Sequence, residues 1–134
     1  MQYDFFPPRI SEDTKGFWEG CKEHKLRIQK CSKCGKLRWP AAYLCPDCLS
    51  EEFRYVELSG KGVVYSSISF KRAFHPQIAD QIPYTVATID LDEGVRFLSN
   101  ITNTDGKMVA CGTRVKIDWV DCETYSKPVF LVED

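Results

Sequence analysis

Two cysteine pairs, Cys31-Ser32-Lys33-Cys34 and Cys45-Pro46-Asp47-Cys48, stand ten residues apart and carry the strongest chemical signal in the chain. Each C-x-x-C turn lets two thiolates converge on one ion at about 2.3 Å, and two such knuckles close a tetrahedral four-sulfur shell with no open position. That donor set predicts one structural metal ion. A rubredoxin-type iron centre would use the same four sulfurs, and a redox disulfide would use one pair. A lone C-x-x-C in a βαβ context would favour redox chemistry, and two knuckles without that context do not; zinc is the expected metal. Gly35 follows the first knuckle, where the chain must turn, and Leu37-Arg38-Trp39-Pro40 can form one arm of a ribbon hairpin. So short a ribbon buries too little apolar surface to fold unaided, so zinc should supply its folding free energy. Lys30, Lys33 and Lys36 would offset the double negative charge of a four-thiolate zinc centre.

The remaining cysteines, Cys21, Cys111 and Cys122, have no metal spacing and are expected to pack as small hydrophobes. A catalytic thiol needs a basic partner, and the chain has only His24 and His75. The carboxylate pairs Asp92/Glu93 and Asp118/Asp121 read as turn and surface residues. Gly60-Lys61-Gly62 is too short for a phosphate-binding loop and reads as a bend between strands. The net charge is only -1, yet Lys22 to Arg38 holds seven Lys and Arg residues against Glu23 alone. Such a patch suits an anionic ligand or an acidic protein face, or a solvated face around the metal loop. No apolar run approaches the roughly 20 residues of a membrane span, and Met1 to Ile10 lacks a secretory h-region. A cytoplasmic location is the expectation.

The elements that position these residues follow from the pattern. Met1 to Ile10, with Tyr3, Phe5, Phe6 and Pro7-Pro8, reads as an extended arm. Ser11, Asp13 and Thr14 offer N-cap chemistry for a short helix to Glu23, with Phe17 and Cys21, or Thr14 and Trp18, at i, i+4 on one face. Lys25 to Lys30 alternates with period two, predicting a strand with Leu26 and Ile28 inward. Past the second knuckle nearly everything reads as strand: Phe53 to Leu58, Val63 to Phe70, Tyr84 to Leu91, Val95 to Ile101, Arg114 to Val120 and Val129 to Val132. Turns at Asp92-Glu93-Gly94 and Asn103-Thr104-Asp105-Gly106 suggest an antiparallel meander. The fold class is mainly β: an N-terminal arm and helix over 1–24, a rubredoxin-like zinc ribbon over 25–52 and an OB-fold barrel over 53–134. The one long connection, Lys71 to Pro83, is a candidate binding loop.

Phe17-Trp18, the strand into Cys31-x-x-Cys34-Gly35, Trp39-Pro40, Cys45-Pro46-x-Cys48 and Ser59-Gly60-Lys61-Gly62-Val63-Val64-Tyr65 occur in a telling order. Pro83-Tyr84 and Leu91-x-Glu93-Gly94 continue it. Over residues 11 to 133 the chain resembles the acyl-CoA-associated zinc-ribbon plus OB-fold family, catalogued as domain of unknown function thirty-five. The resemblance implies a non-catalytic accessory subunit in a hetero-oligomer with a thiolase-fold subunit acting on CoA thioesters. It also implies a bridging role between a thiolase and a hydroxymethylglutaryl-CoA synthase as an alternative. On that basis Phe5, Phe6, Phe17 and Trp18 are expected at the partner interface. Phe74 and His75 are expected to line a channel for the pantetheine arm, with Arg38, Lys71 and Arg72 meeting the phosphates of CoA.

Zinc ribbons and OB folds also bind nucleic acid, so a single-strand or RNA-binding module is the rival reading. It would stack bases on Tyr65, Phe70 or Phe97. Acidic Asp90, Asp118 and Asp121 on the presumed barrel strands and a pI of about 6.1 weigh against it.

Overall fold

The computed structural model describes residues 7–133; Phe5 and Phe6 lie outside the described residues. Helix α1 (Lys15–Lys22) precedes strands β1 (Leu26–Cys31), β2 (Leu37–Arg38) and β3 (Phe53–Leu58). Next come β4 (Lys61–Phe70), a 3-10 helix over Pro76–Gln81, β5 (Tyr84–Leu91), β6 (Arg96–Ile101), β7 (Arg114–Asp121) and β8 (Ser126–Val132). Thr14 is the N-cap of α1 but makes no side-chain capping bond. Instead Ser11 starts the turn, its carbonyl accepting from Lys15 N–H at 2.8 Å and its N–H donating to Thr14 Oγ1 at 2.9 Å. Phe17 and Cys21, one of the two i, i+4 pairs the sequence offers, are buried on one face of α1.

The strands form two sheets. One is β2-β1-β3, antiparallel throughout; the other is a closed barrel in the order β4-β5-β6-β8-β7. The expected boundary after residue 52 falls between β1 and β3, two strands of the same sheet. The barrel departs from a simple meander. β8 lies between β6 and β7, parallel to β6 at Ile101↔Phe130 and antiparallel to β7 along its length. β4 then closes the barrel against β7. Closure between β6 and β8 is narrow, resting on the pair Ile101↔Phe130.

Gly60 lets β3 hand over to β4. It adopts φ 77°, and a Cβ there would collide with the Ile117 side chain. One apolar cluster runs through both sheets: Leu26, Ile28 and Leu58 beneath the ribbon, Val64, Ile89, Val115 and Phe130 in the barrel. Phe97 joins the two parts, its ring 4.5 Å from Trp39, 6.1 Å from Phe17 and 6.0 Å from Phe130. Among the described residues no helix is long and apolar enough to cross a membrane.

Candidate metal centre and ligand surfaces

β1 delivers Cys31 at its C-terminal end, and the chain turns through Cys34 into β2 before returning at Cys45 and Cys48. The two knuckles repeat one geometry. Gly35 N–H donates to Cys31 O at 3.0 Å and Leu49 N–H to Cys45 O at 2.9 Å. Gly35 and Leu49 both adopt the left-handed conformation, at φ 80° and 62°. The four Sγ atoms lie within 4.8 Å of one another. Cys31 and Cys48 are 3.6 Å apart and Cys34 and Cys45 3.5 Å, close to the roughly 3.8 Å edge of a tetrahedron with 2.3 Å metal–sulfur bonds.

The electrostatics call for a cation. Backbone N–H groups of Cys34 and Cys48 draw the Cys31 and Cys45 thiols below their ordinary range, Cys31 to about 6. The Lys36 N–H also draws Cys34 down, yet the adjoining Cys45 sulfur leaves that thiol raised, because neighbouring thiolates repel. A divalent ion removes the conflict by binding all four as thiolates. Lys36 Nζ stands 3.1 Å from Asp47, so one of the expected charge-offsetting lysines is tied within the ribbon.

Arg38 is turned inward. Its Nε donates to Gln29 Oε1 at 2.7 Å and its Nη2 to Ala42 O at 3.0 Å, while the guanidinium lies 5.3 Å from the Phe53 ring. Arg38 Nη1 is buried with no hydrogen-bond partner among the described residues. Gln29, also buried, accepts from Ala42 N–H at 3.0 Å and donates to Asp13 O at 3.1 Å. This network, which braces the loop between the knuckles, is absent from the sequence reading because alternation assigns Gln29 to solvent.

The long connection gathers the other expected ligand residues. Lys71, Arg72, Phe74 and His75 are exposed on it, and His75 caps the 3-10 helix by accepting from Gln77 N–H at 3.1 Å. Arg72 lies over the Phe74 ring at 5.5 Å, and Phe70 stacks on Tyr84 at 5.1 Å. Beside this loop is an open cleft of about 530 Å³ bordered by Ile68, Lys71, Lys107 and Met108. A second, apolar groove of about 290 Å³ lies between α1 and the barrel, lined by Phe17, Trp18, Trp39, Phe97, Leu98 and Lys127. The two share no residue. Phe17 is buried, so the half-buried Trp18 is the helix side chain that presents its ring there. Burial also lowers the Lys127 amine below its ordinary range.

Cys21 is fully buried, its thiol pushed up to about 12 by burial. Cys111 departs from the packing expectation: it is exposed and its thiol donates to Tyr65 O at 3.2 Å. Of the rings proposed for base stacking, Phe97 belongs to the core, and the exposed Tyr65 ring has Arg96 over one face at 3.7 Å.

Fold and donor set together define a structural zinc ribbon joined to an OB-fold barrel. Residues 18–54 match the family described as the ChsH2 rubredoxin-like zinc ribbon domain, and residues 55–120 the ChsH2 C-terminal OB-fold domain. A solved structure described as an Ltp2-ChsH2(DUF35) aldolase superposes with TM-score 0.83 and 35% identity, covering 93% of this chain and 98% of that one. The chain belongs to the DUF35 family. The probable enoyl-CoA hydratase alpha subunit of Thermomonospora curvata is 36% identical over 124 residues, 92% of this chain and 38% of the relative. The benzoylsuccinyl-CoA thiolase subunit BbsA of Thauera aromatica is 35% identical over 92 residues, 69% of this chain and 61% of the relative. The chain thus spans well under half the length of that hydratase subunit.

Proposed function

We propose that this chain is a non-catalytic accessory subunit of a thiolase-type acyl-CoA enzyme complex, similar in role to the small zinc subunit of 2-benzoylsuccinyl-CoA thiolase. The observation that carries the reading is 35% identity over 92 residues, 69% of this chain, to a protein described as a benzoylsuccinyl-CoA thiolase subunit. In this reading the zinc ribbon holds a rigid docking surface, and α1 with Phe17 and Trp18 meets a thiolase-fold partner, as would Phe5 and Phe6, which lie outside the described residues. The catalytic nucleophile resides on that partner. The Lys71 to Pro83 loop borders the CoA site, with Lys71 and Arg72 offering charge-assisted bonds to phosphate and Phe74 and His75 flanking the pantetheine arm. Arg38, paired with Gln29 and Ala42, would contribute by bracing the ribbon loop.

A hydratase- or aldolase-type partner is the second reading, favoured by the match along 92% of this chain to a hydratase subunit. Affinity capture of the chain with native mass spectrometry separates the two by the partner's mass and by bound CoA. CoA titration into that complex tests the loop. Replacing Lys71 and Arg72 together by Ala should weaken CoA binding about tenfold or more. Unchanged binding would remove the loop from the site.

A further inference from the structure

The turn that ends α1 is closed by two backbone bonds, Lys25 N–H to Gly20 O at 2.9 Å and His24 N–H to Cys21 O at 3.0 Å. This pair makes a Schellman ending, whose left-handed position is usually glycine because a Cβ is strained there. His24 occupies it, at φ 58°. Its side chain reaches across to the barrel. The imidazole lies parallel to the Trp119 indole, with centroids 5.3 Å apart and planes inclined by 6°. Its Nε2 stands 2.8 Å from Asp121 Oδ1, and the Ser126 hydroxyl donates to the same oxygen at 2.6 Å. Trp119 and Asp121 belong to β7 and Ser126 to β8, so the residue at the helix end engages β7 directly and β8 through the Ser126 bond to Asp121. Hydrogen bonds from His24 and then Ser126 hold the Asp121 carboxyl below the usual range, consistent with a persistent ionised acceptor.

The rest of α1 meets the barrel through aromatic rings. Phe17 touches Phe97, and Trp18 meets Tyr125 edge-on at 5.9 Å. Such contacts supply apolar burial and admit both edge-to-face and offset arrangements, whereas a hydrogen bond to a fixed carboxylate selects one direction. We propose that His24, Trp119, Asp121 and Ser126 form a clasp that fixes the angle between the helix–ribbon part and the barrel. The histidine occupies a glycine position because its ring is needed across that junction. The clasp thereby sets the width of the apolar groove between Trp18, Trp39 and Phe97, and opening it frees the helix end to swing.

His24→Gly discriminates this from a role in the turn alone, since glycine suits the backbone better and removes only the imidazole. Amide hydrogen exchange is compared for the zinc-loaded wild type, His24→Gly, Asp121→Asn and the double variant. Cobalt-substituted absorption reports that the ribbon stays folded. Each single change should speed exchange over residues 20–27 and 119–122 by about tenfold, and the double variant should add nothing further. Slower or unchanged exchange in His24→Gly, or effects that multiply in the double variant, would overturn the clasp. If His24→Gly does not fold, His24→Asn, which also tolerates the left-handed region but cannot stack on Trp119, is read in the same way.

Discussion

Gly35 and Leu49 occupy equivalent positions in the two knuckles, and the difference between them isolates a backbone effect. A Cβ on Gly35 would meet nothing nearer than Lys30 Cε at 3.9 Å, so Gly35→Ala adds left-handed strain without a steric clash. It should destabilise the zinc-bound chain by about 1–2 kcal/mol, seen as a lower urea midpoint and easier zinc loss to a competing chelator. Leu49 already bears that strain while exposed, so Leu49→Gly should shift both measurements the opposite way or leave them flat. A second residue-scale prediction concerns Asp92. Arg114 donates to its two oxygens at 2.8 and 3.0 Å, and these bonds hold the carboxyl below the usual carboxylate range. A lowered folded-state value means the contribution is present above the unfolded value of about 4 and is lost as pH falls through the folded one. Urea titrations from about pH 6 to pH 3 should therefore show a shallower acid loss of stability in Asp92→Asn than in wild type. Parallel curves would mean that the exposed pair adds nothing.

At the scale of elements, Phe97 on β6 is the piece that makes ribbon, helix and barrel one core. It is 2% exposed and touches rings from all three. Phe97→Ala should cost about 3–5 kcal/mol, and it should loosen α1 as well as the barrel, which exchange measurements on the two parts would register together. The elements themselves were largely legible in the sequence. Phe53 to Leu58 and Tyr84 to Leu91 form strands with the predicted bounds because β-branched and aromatic residues dominate them. The start of β8 was not, since Ser126-Lys127-Pro128 carries no strand signal; those residues are drawn into the sheet by pairing with Asp121, Val120 and Trp119. The parallel contact of β6 with β8 was equally invisible, being a long-range pairing with no local mark. In the candidate site, spacing revealed the metal shell in full, because knuckle geometry is local. The Gln29–Arg38 network and the His24 clasp needed the tertiary structure, as their partners come from distant segments.

At the scale of the whole molecule, the two sheets are held by different forces, and metal removal should separate them. The β2-β1-β3 sheet and its knuckles close around four thiols, and without a cation those thiols compete for protons. Structural zinc in such small units supplies on the order of 10 kcal/mol of apparent binding free energy, which is folding free energy for the ribbon. The barrel closes on its own hydrogen bonds around Val64, Ile89, Val115 and Phe130, all buried. Chelation should therefore strip exchange protection from residues 26–58 while leaving most of it in residues 61–132. It should also uncover the apolar side of the barrel that Trp39 and Phe17 normally cover, so that a hydrophobic dye binds and Trp39 emission shifts to the red. Thermal unfolding of the metal-free chain should retain a transition belonging to the barrel, below that of the zinc-bound form. If chelation instead abolishes protection in both sheets in one step, the ring contacts of Phe97 couple ribbon and barrel into a single cooperative unit, and zinc stabilises the barrel as much as the ribbon.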